Sequence, residues 1–127
     1  MSDDRILFGM AAKDDLGRRG EELAAHFLVN AGMSIVDRNW RCSQGEIDIV
    51  ARDGAELVFV EVKTRSSVAF GHPLEAITVT KLARLRRLAA AWCDAHPDPY
   101  GAIRIDALAV IVPFRGAPEI EHLARVF

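Results

Sequence analysis

GEIDIVARDGAELVFVEVK, residues Gly45–Lys63, reads as two β-strands joined by a tight turn. Glu46 to Ala51 and Leu57 to Lys63 are rich in β-branched residues, and Asp53-Gly54 between them is a hairpin signal. Side chains alternate faces along a strand. Glu61 and Lys63 therefore share one face of the later strand, while Val58, Val60 and Val62 share the other. In the earlier strand Glu46 and Asp48 share a face opposite Ile47 and Ile49. With suitable register the hairpin gathers Asp48, Glu61 and Lys63 on one patch of sheet.

Such a patch is costly as structure alone. Charges set between valines are partly desolvated, and neighbouring carboxylates repel until one of them keeps its proton. A divalent cation removes the conflict, and hard oxygen ligands suit Mg²⁺. A metal there polarises a phosphoryl oxygen and activates water. The lysine adds positive charge where a phosphoryl transition state gathers negative charge. The plainer reading is a solvent-facing hairpin with Glu61 and Lys63 as a surface ion pair. The pattern alone leaves the two readings level.

Upstream, Leu16, Leu23, Ala24, Phe27, Leu28 and Ala31 recur at helical spacing, with Gly20 on the same face. Asp14 or Asp15 serves as the N-cap of this helix and Gly32 as its stop. Residues 1–13 show no period and read as a loose arm, leaving 14–127 as a single domain. At about 100° per residue, Glu21 falls at the border of the apolar face beside Ala24 and Leu28, and Glu22 points away with Arg18. Glu21 can thus look toward the sheet, although boundary glutamates more often snorkel into solvent.

Ser34 to Arg38 reads as a short strand and Asn39 to Gly45 as a turn. Past the hairpin, Arg65 to Pro73 is a loop. Thr80 to Ala95 is a helix with Leu82, Leu85, Leu88, Ala89 and Trp92 as its apolar face, stopped by His96-Pro97-Asp98-Pro99. Ile103 to Val112 is apolar enough for an interior strand. Pro113 to Pro118 is a turn, and Ile120 to Val126 a last strand. The predicted order is α-β-β-β-α-β with one further β, an α/β fold without internal repeats.

A chain of 127 residues fits one domain. With 50% apolar and 27% charged residues, it has the composition of a folded chain rather than a disordered one. Cys42 and Cys93 match neither a zinc spacing nor a disulfide framework and read as reduced thiols. The start Met1-Ser2-Asp3-Asp4 is acidic where a signal peptide is basic, and no apolar run approaches a membrane span. The expectation is a cytoplasmic protein with no membrane partner. The net charge is -2 and the pI about 6.1, unlike the strongly basic balance of many nucleic-acid binders. Contact with nucleic acid then requires a local patch or a bound cation.

Four strings occur in order: Gly17-Arg18-Arg19-Gly20-Glu21, Arg38-Asn39-Trp40-Arg41, Gly45-Glu46-Ile47-Asp48, and Val58-Phe59-Val60-Glu61-Val62-Lys63-Thr64-Arg65. Together they closely resemble the YraN family, a bacterial group within the PD-(D/E)xK nuclease superfamily, which also holds Holliday-junction resolvases. The resemblance spans about Gly17 to Val112. It implies a restriction-endonuclease-like αβββαβ core, with a mixed four- to five-stranded sheet flanked by helices. It implies a metal-dependent endonuclease that hydrolyses DNA phosphodiester bonds, branched or single-stranded DNA included, with Mg²⁺ or Mn²⁺ as cofactor.

The resemblance also assigns roles. Glu21, Asp48, Glu61 and Lys63 match the catalytic positions. Asp48 and Glu61 would hold the metal, with the backbone carbonyl of Val62 as a third ligand. Glu21 would act through a second metal or a bridging water, and Lys63 on the attacking water. Ile47 stands where the superfamily label has proline. Small nucleases of this kind often pair two active sites, which adds a homodimer to the expectations.

Weaker signals surround this core. Arg65 is the best candidate for a phosphate contact. Lys81, Arg84 and Arg87 form a helical stripe that either contacts phosphates or is an ordinary solvated face. Trp40 can stack on a base, though a Trp between strands is more often an anchor. Asp106 interrupts an apolar strand, either as a partner of the site or paired with Arg104 or a backbone donor. Glu46 is an outer group of the site or a cap of the preceding turn. His26, His72, His96 and His122 have no ligand spacing. The near-neutral charge keeps a second functional class open: a non-catalytic nucleic-acid-binding or adaptor module that retains the nuclease fold within a DNA-processing complex.

Overall fold

Leu57, Val58, Phe59 and Val60 are consecutive and all buried, so the strand that carries them needs cover on both faces. The computed structural model supplies it. Residues 3–69, 71–97 and 101–126 are described, with residues 3–12 by their backbone alone. The order is α1 (Asp3–Asn30), β1 (Ser34–Cys42), β2 (Gly45–Asp53), β3 (Glu56–Arg65), a short 3-10 turn (Pro73–Ala76), α2 (Val79–Ala95), β4 (Ile103–Ile111) and β5 (Glu119–Leu123). One sheet takes the strands in the order β1-β2-β3-β4-β5. Only β3 and β4 run parallel, and α2 makes the crossover that parallel pairing requires.

The two helices cover opposite faces. On one side Ala24 and Leu28 of α1 pack with Ile49, Ala51, Val58, Val60, Leu108 and Val110. On the other, Leu85, Leu88, Ala89 and Trp92 of α2 pack with Ile47, Val50, Leu57, Phe59 and Ile105. The result is a mixed α/β fold with an open five-stranded sheet between two helices. No described helix is long and apolar enough to cross a membrane.

Several boundaries differ from the sequence reading. The first helix begins at Asp3, so residues 3–13 are helical rather than a loose arm, and Asp14 and Asp15 are not caps. A helix already nucleated and anchored extends cheaply without an apolar stripe of its own. Its stop is as expected: Gly32 has φ 97°, and Met33 N–H returns to the Leu28 carbonyl. β1 continues to Cys42, so most of the Asn39–Gly45 segment is strand and the turn is Ser43-Gln44. Asp53 pairs with Glu56, which leaves Gly54-Ala55 as the hairpin turn. β5 ends at Leu123. α2 ends at Ala95 as expected; Asp98 and Pro99 of its stop signal lie outside the described residues.

Gly20 sets how closely α1 lies on β3. A Cβ there would stand 1.9 Å from Thr64 Oγ1 and 2.7 Å from Thr64 Cβ, whereas a Cβ at Gly17 would meet nothing within 4 Å. Gly20→Ala should therefore cost about 1–3 kcal/mol through overpacking, while Gly17→Ala should gain up to about 1 kcal/mol of helix propensity. Urea unfolding of the two variants checks the contrast.

Asp106 is fully buried yet completely partnered. It accepts from Arg104 Nε and Nη2, each at 3.2 Å, from the Arg125 backbone N–H at 3.0 Å, and faces His122 Nε2 at 2.7 Å. Arg104 Nη1 also reaches Asp53 (2.9 Å) and Glu56 (3.2 Å), and Arg125 grips Glu56 through both Nη atoms. The network ties β4 and the chain after β5 to the β2–β3 turn, which favours the pairing role for Asp106 over a role at the site. Asp106→Ala takes the acceptor from Arg104 Nε and Nη2 and from the Arg125 N–H and should cost about 1–3 kcal/mol, read as a lower urea midpoint with unchanged slope.

Candidate active site

Paired strands must satisfy their backbone N–H groups. β2 and β3 do so from Ile49 opposite Val60 to Asp53 opposite Glu56. Beyond that the ladder stops, and the Val62 N–H donates to the Asp48 carboxylate instead, 2.9 Å from Oδ2. β1 keeps its register at the same level but has an unusual backbone there. Asn39 lies between Arg38 and Trp40, the partners of Ile49 and Ile47, and has φ 53°. Asparagine is one of the few residues that adopt this left-handed conformation readily. Ile47 consequently packs on the α2 side and Ile49 on the α1 side, so the regular alternation expected through Asp48 does not hold.

The parted strands create a cleft. Gly45, Glu46, Asp48 and Glu61 line it from the sheet, and Lys81, Arg84, Leu85 and Leu88 from α2, around about 200 Å³. Lys63 Nζ lies 3.3 Å from Glu61 Oε1, with both side chains partly buried. From α1, Glu21 reaches Asn39. With its amide turned to suit its neighbours, Asn39 donates to Glu21 Oε2 at 2.9 Å and to Glu46 Oε1 at 3.1 Å. Arg41 Nε holds the other oxygen of Glu46 at 3.0 Å. Glu22 points away from the apolar face, as its helical angle implies. It is exposed but pairs with Arg38 of β1 at 2.8 Å.

Electrostatics tie these groups together. The Asp48 carboxyl is pushed up to about 7, first by burial and then by the charge of Glu61, with smaller contributions from Glu21 and Glu46; the Val62 N–H opposes the rise. Glu21 is raised as well, by burial first and then by Glu46, against the pull of Arg38. Glu21, Glu46, Asp48 and Glu61 thus form one mutually repelling set. Among the described residues, no three His, Cys, Asp or Glu side chains are grouped to enclose a metal ion. Mg²⁺ does not need that: it binds through one or two carboxylates and keeps several waters. The donor set of Asp48, Glu61 and the Val62 carbonyl is all hard oxygen and fits such an ion.

The structure brings Glu21, Asp48, Glu61 and Lys63 to one end of the sheet, and Lys81 and Arg84 border the cleft rather than a remote solvated face. Arg65 lines an adjoining groove with Lys13, Glu21, Val62 and Lys63. Arg87 lines neither. Trp40 packs against the α2-side core, edge-on to His96, as an anchor. Asn39 is the residue that sequence reasoning passed over. Its signal was an asparagine directly after the predicted strand, a residue that adopts a left-handed backbone readily.

Fold and site define a small α/β protein with a carboxylate cluster at an opened strand pair, walled by cations. Comparison with known proteins gives the family. The pattern described as "Uncharacterised protein family UPF0102" matches residues 20–110, and the chain belongs to that family. A UPF0102 protein of Arthrobacter sp. (strain FB24) is 62% identical over 117 residues, covering 92% of this chain and 99% of the relative. Those of Streptomyces griseus and Beutenbergia cavernae are 58% and 56% identical, each match again covering 92% of this chain and 99% of the relative.

The raised Asp48 carboxyl has a consequence for stability. Its folded value lies above the ordinary 3.8, so the folded protein keeps a proton that the unfolded chain releases. Stability from this group is therefore lost as pH climbs from about 4 to about 7 and stays lost above. Asp48→Asn, which can still accept from Val62, should match wild type near pH 4 and exceed it by up to about 4 kcal/mol at pH 8. Urea unfolding at the two pH values checks this.

Proposed function

We propose that this protein is a divalent-metal-dependent endonuclease acting on DNA, with the restriction-endonuclease-like core of the PD-(D/E)xK superfamily. The observation that carries the reading is the meeting of Asp48, Glu61 and Lys63 where β2 and β3 part, with Glu21 supplied by α1. The resemblance to the YraN family supports it, as does the αβββαβ order with its single parallel pair.

Asp48, Glu61 and the Val62 carbonyl would hold the metal. When bound, Mg²⁺ or Mn²⁺ supplies a Lewis acid for the phosphoryl oxygen and lowers the pKa of water. The chain's own groups do the rest. Lys63, kept in place by Glu61, orients the attacking water and puts positive charge beside the phosphate. Glu21, its carboxyl raised by burial and by the charge of Glu46, would hydrogen-bond a bridging water. Lys81 and Arg84 face the cleft without an ion-pair partner among the described residues and hold neighbouring phosphates. Water attacks phosphorus in line with the P–O3′ bond. That bond breaks, and the 3′ oxygen leaves as a hydroxyl.

One observation favours a second reading. Asp48 is engaged by Val62 and Glu61 by Lys63, and no three acidic or histidine side chains enclose an ion as they stand among the described residues. A non-catalytic DNA-binding or adaptor module has no use for a freer arrangement. The two separate in one assay on linear, nicked, branched and single-stranded DNA. Cleavage should require Mg²⁺ or Mn²⁺, fall at least about 100-fold in Asp48→Ala, Glu61→Ala and Lys63→Ala, and weaken in Glu21→Ala. Wild type that cuts none of these substrates with either metal, yet binds DNA equally in Glu61→Ala, establishes the adaptor.

A further inference from the structure

Phe114 is 99% exposed. The other aromatics with described side chains behave differently. Phe59 and Trp92 are buried, and Phe27 and Trp40 pack against the cores. Phe114 sits in the loop between β4 and β5, followed by Arg115 and Gly116, the latter at φ 102°. The loop rises from the same end of the sheet as the candidate site, because β3 and β4 are parallel and the Val112 N–H donates to the Arg65 carbonyl at 2.8 Å.

A continuous path joins this ring to the carboxylates. The groove that holds Glu21, Lys63 and Arg65 also holds Lys13, Leu16 and Ser66. Lys13, Leu16 and Ser66 then line a second groove with Arg19, Val112, Pro113 and Phe114. Lys13, Arg19, Arg65 and Arg115 have no ion pair among the described residues. In a chain of net charge -2, Lys13, Arg19 and Arg65 line these two joined grooves without an ion pair among the described residues.

We infer that this groove binds a single-stranded segment of nucleic acid, its phosphates on Lys13, Arg19 and Arg65 and one unpaired base stacked on Phe114. Unpaired cations track a phosphate backbone, and an exposed aromatic face stacks any base without reading its edges. A base inside a duplex offers no free face, so Phe114 discriminates unpaired from paired strands. The inference rests on the nucleic-acid reading of the neighbouring site but not on hydrolysis there.

Binding is measured by fluorescence anisotropy with metal chelated, using a fluorescein-labelled oligothymidylate and a blunt duplex of equal length. Phe114→Ala should weaken single-strand binding about 5- to 100-fold and change duplex binding by less than about twofold, and Phe114→Trp should restore it. Lys13→Ala and Arg65→Ala should weaken both probes and lower the salt slope by about one each. Wild-type affinity of Phe114→Ala for the single strand overturns the inference. So does an equal loss on both probes, or a dimer-to-monomer change in sedimentation without loss of single-strand binding. Wild type that binds through Phe114 but never cuts keeps this inference and removes hydrolysis. Cleavage by wild type with no effect of Phe114→Ala on binding does the reverse.

Discussion

A side-chain carboxylate accepting a main-chain N–H decides the architecture around the cleft. Between antiparallel strands that N–H ordinarily meets a carbonyl of the neighbouring strand. Here Asp48 takes the Val62 N–H itself. The hydrogen bond is satisfied, but β2 is not zipped to β3 at that level. The strands part, Asp48 comes beside Glu61, and the space that opens meets the first turns of α2. Ending the ladder and building the site are the same event, and its cost is a carboxylate held where water solvates it poorly.

The rest of the site is delivered by neighbours that tolerate close approach. Gly20 lets α1 touch Thr64, which brings the adjacent Glu21 to the end of β3. Asn39 uses its left-handed backbone to turn its amide between Glu21 and Glu46. The acids are thereby concentrated at the centre, with Lys81 and Arg84 on one flank and Lys13 and Arg65 on the other. An overall charge of -2 conceals this segregation, because it sums over a surface whose parts differ in sign.

What could be read from the sequence was local. Period and turn chemistry located the β2–β3 hairpin that carries Asp48, Glu61 and Lys63, but not the end of its ladder at Ile49 and Val60, beyond which they meet. Helical angle singled out Glu21 from Glu22, although Glu22 turned out to be occupied by Arg38. Long-range or backbone-driven features were not legible. Asp106 finds its partners on β4, on β5 and on the chain after β5, a convergence no spacing reveals. The break at Asn39 and Asp48 depends on a backbone conformation rather than on residue pattern. The helix before Asp14 has no apolar period because its continuation from an anchored segment demands none.

The sheet is fastened differently at its two ends. At one, Arg104, Asp106, Glu56 and Arg125 answer one another in full; at the other, like charges crowd together. Mutational drift therefore meets opposite rules along the same strands. At the fastened end a lost partner leaves buried groups unsatisfied, and folding itself purges the change. At the crowded end loss of the Asp48 charge relieves a repulsion and a poor solvation, and folding rewards it. Folding gains nothing from the charge on Asp48, so selection for what the cluster does is what keeps it there.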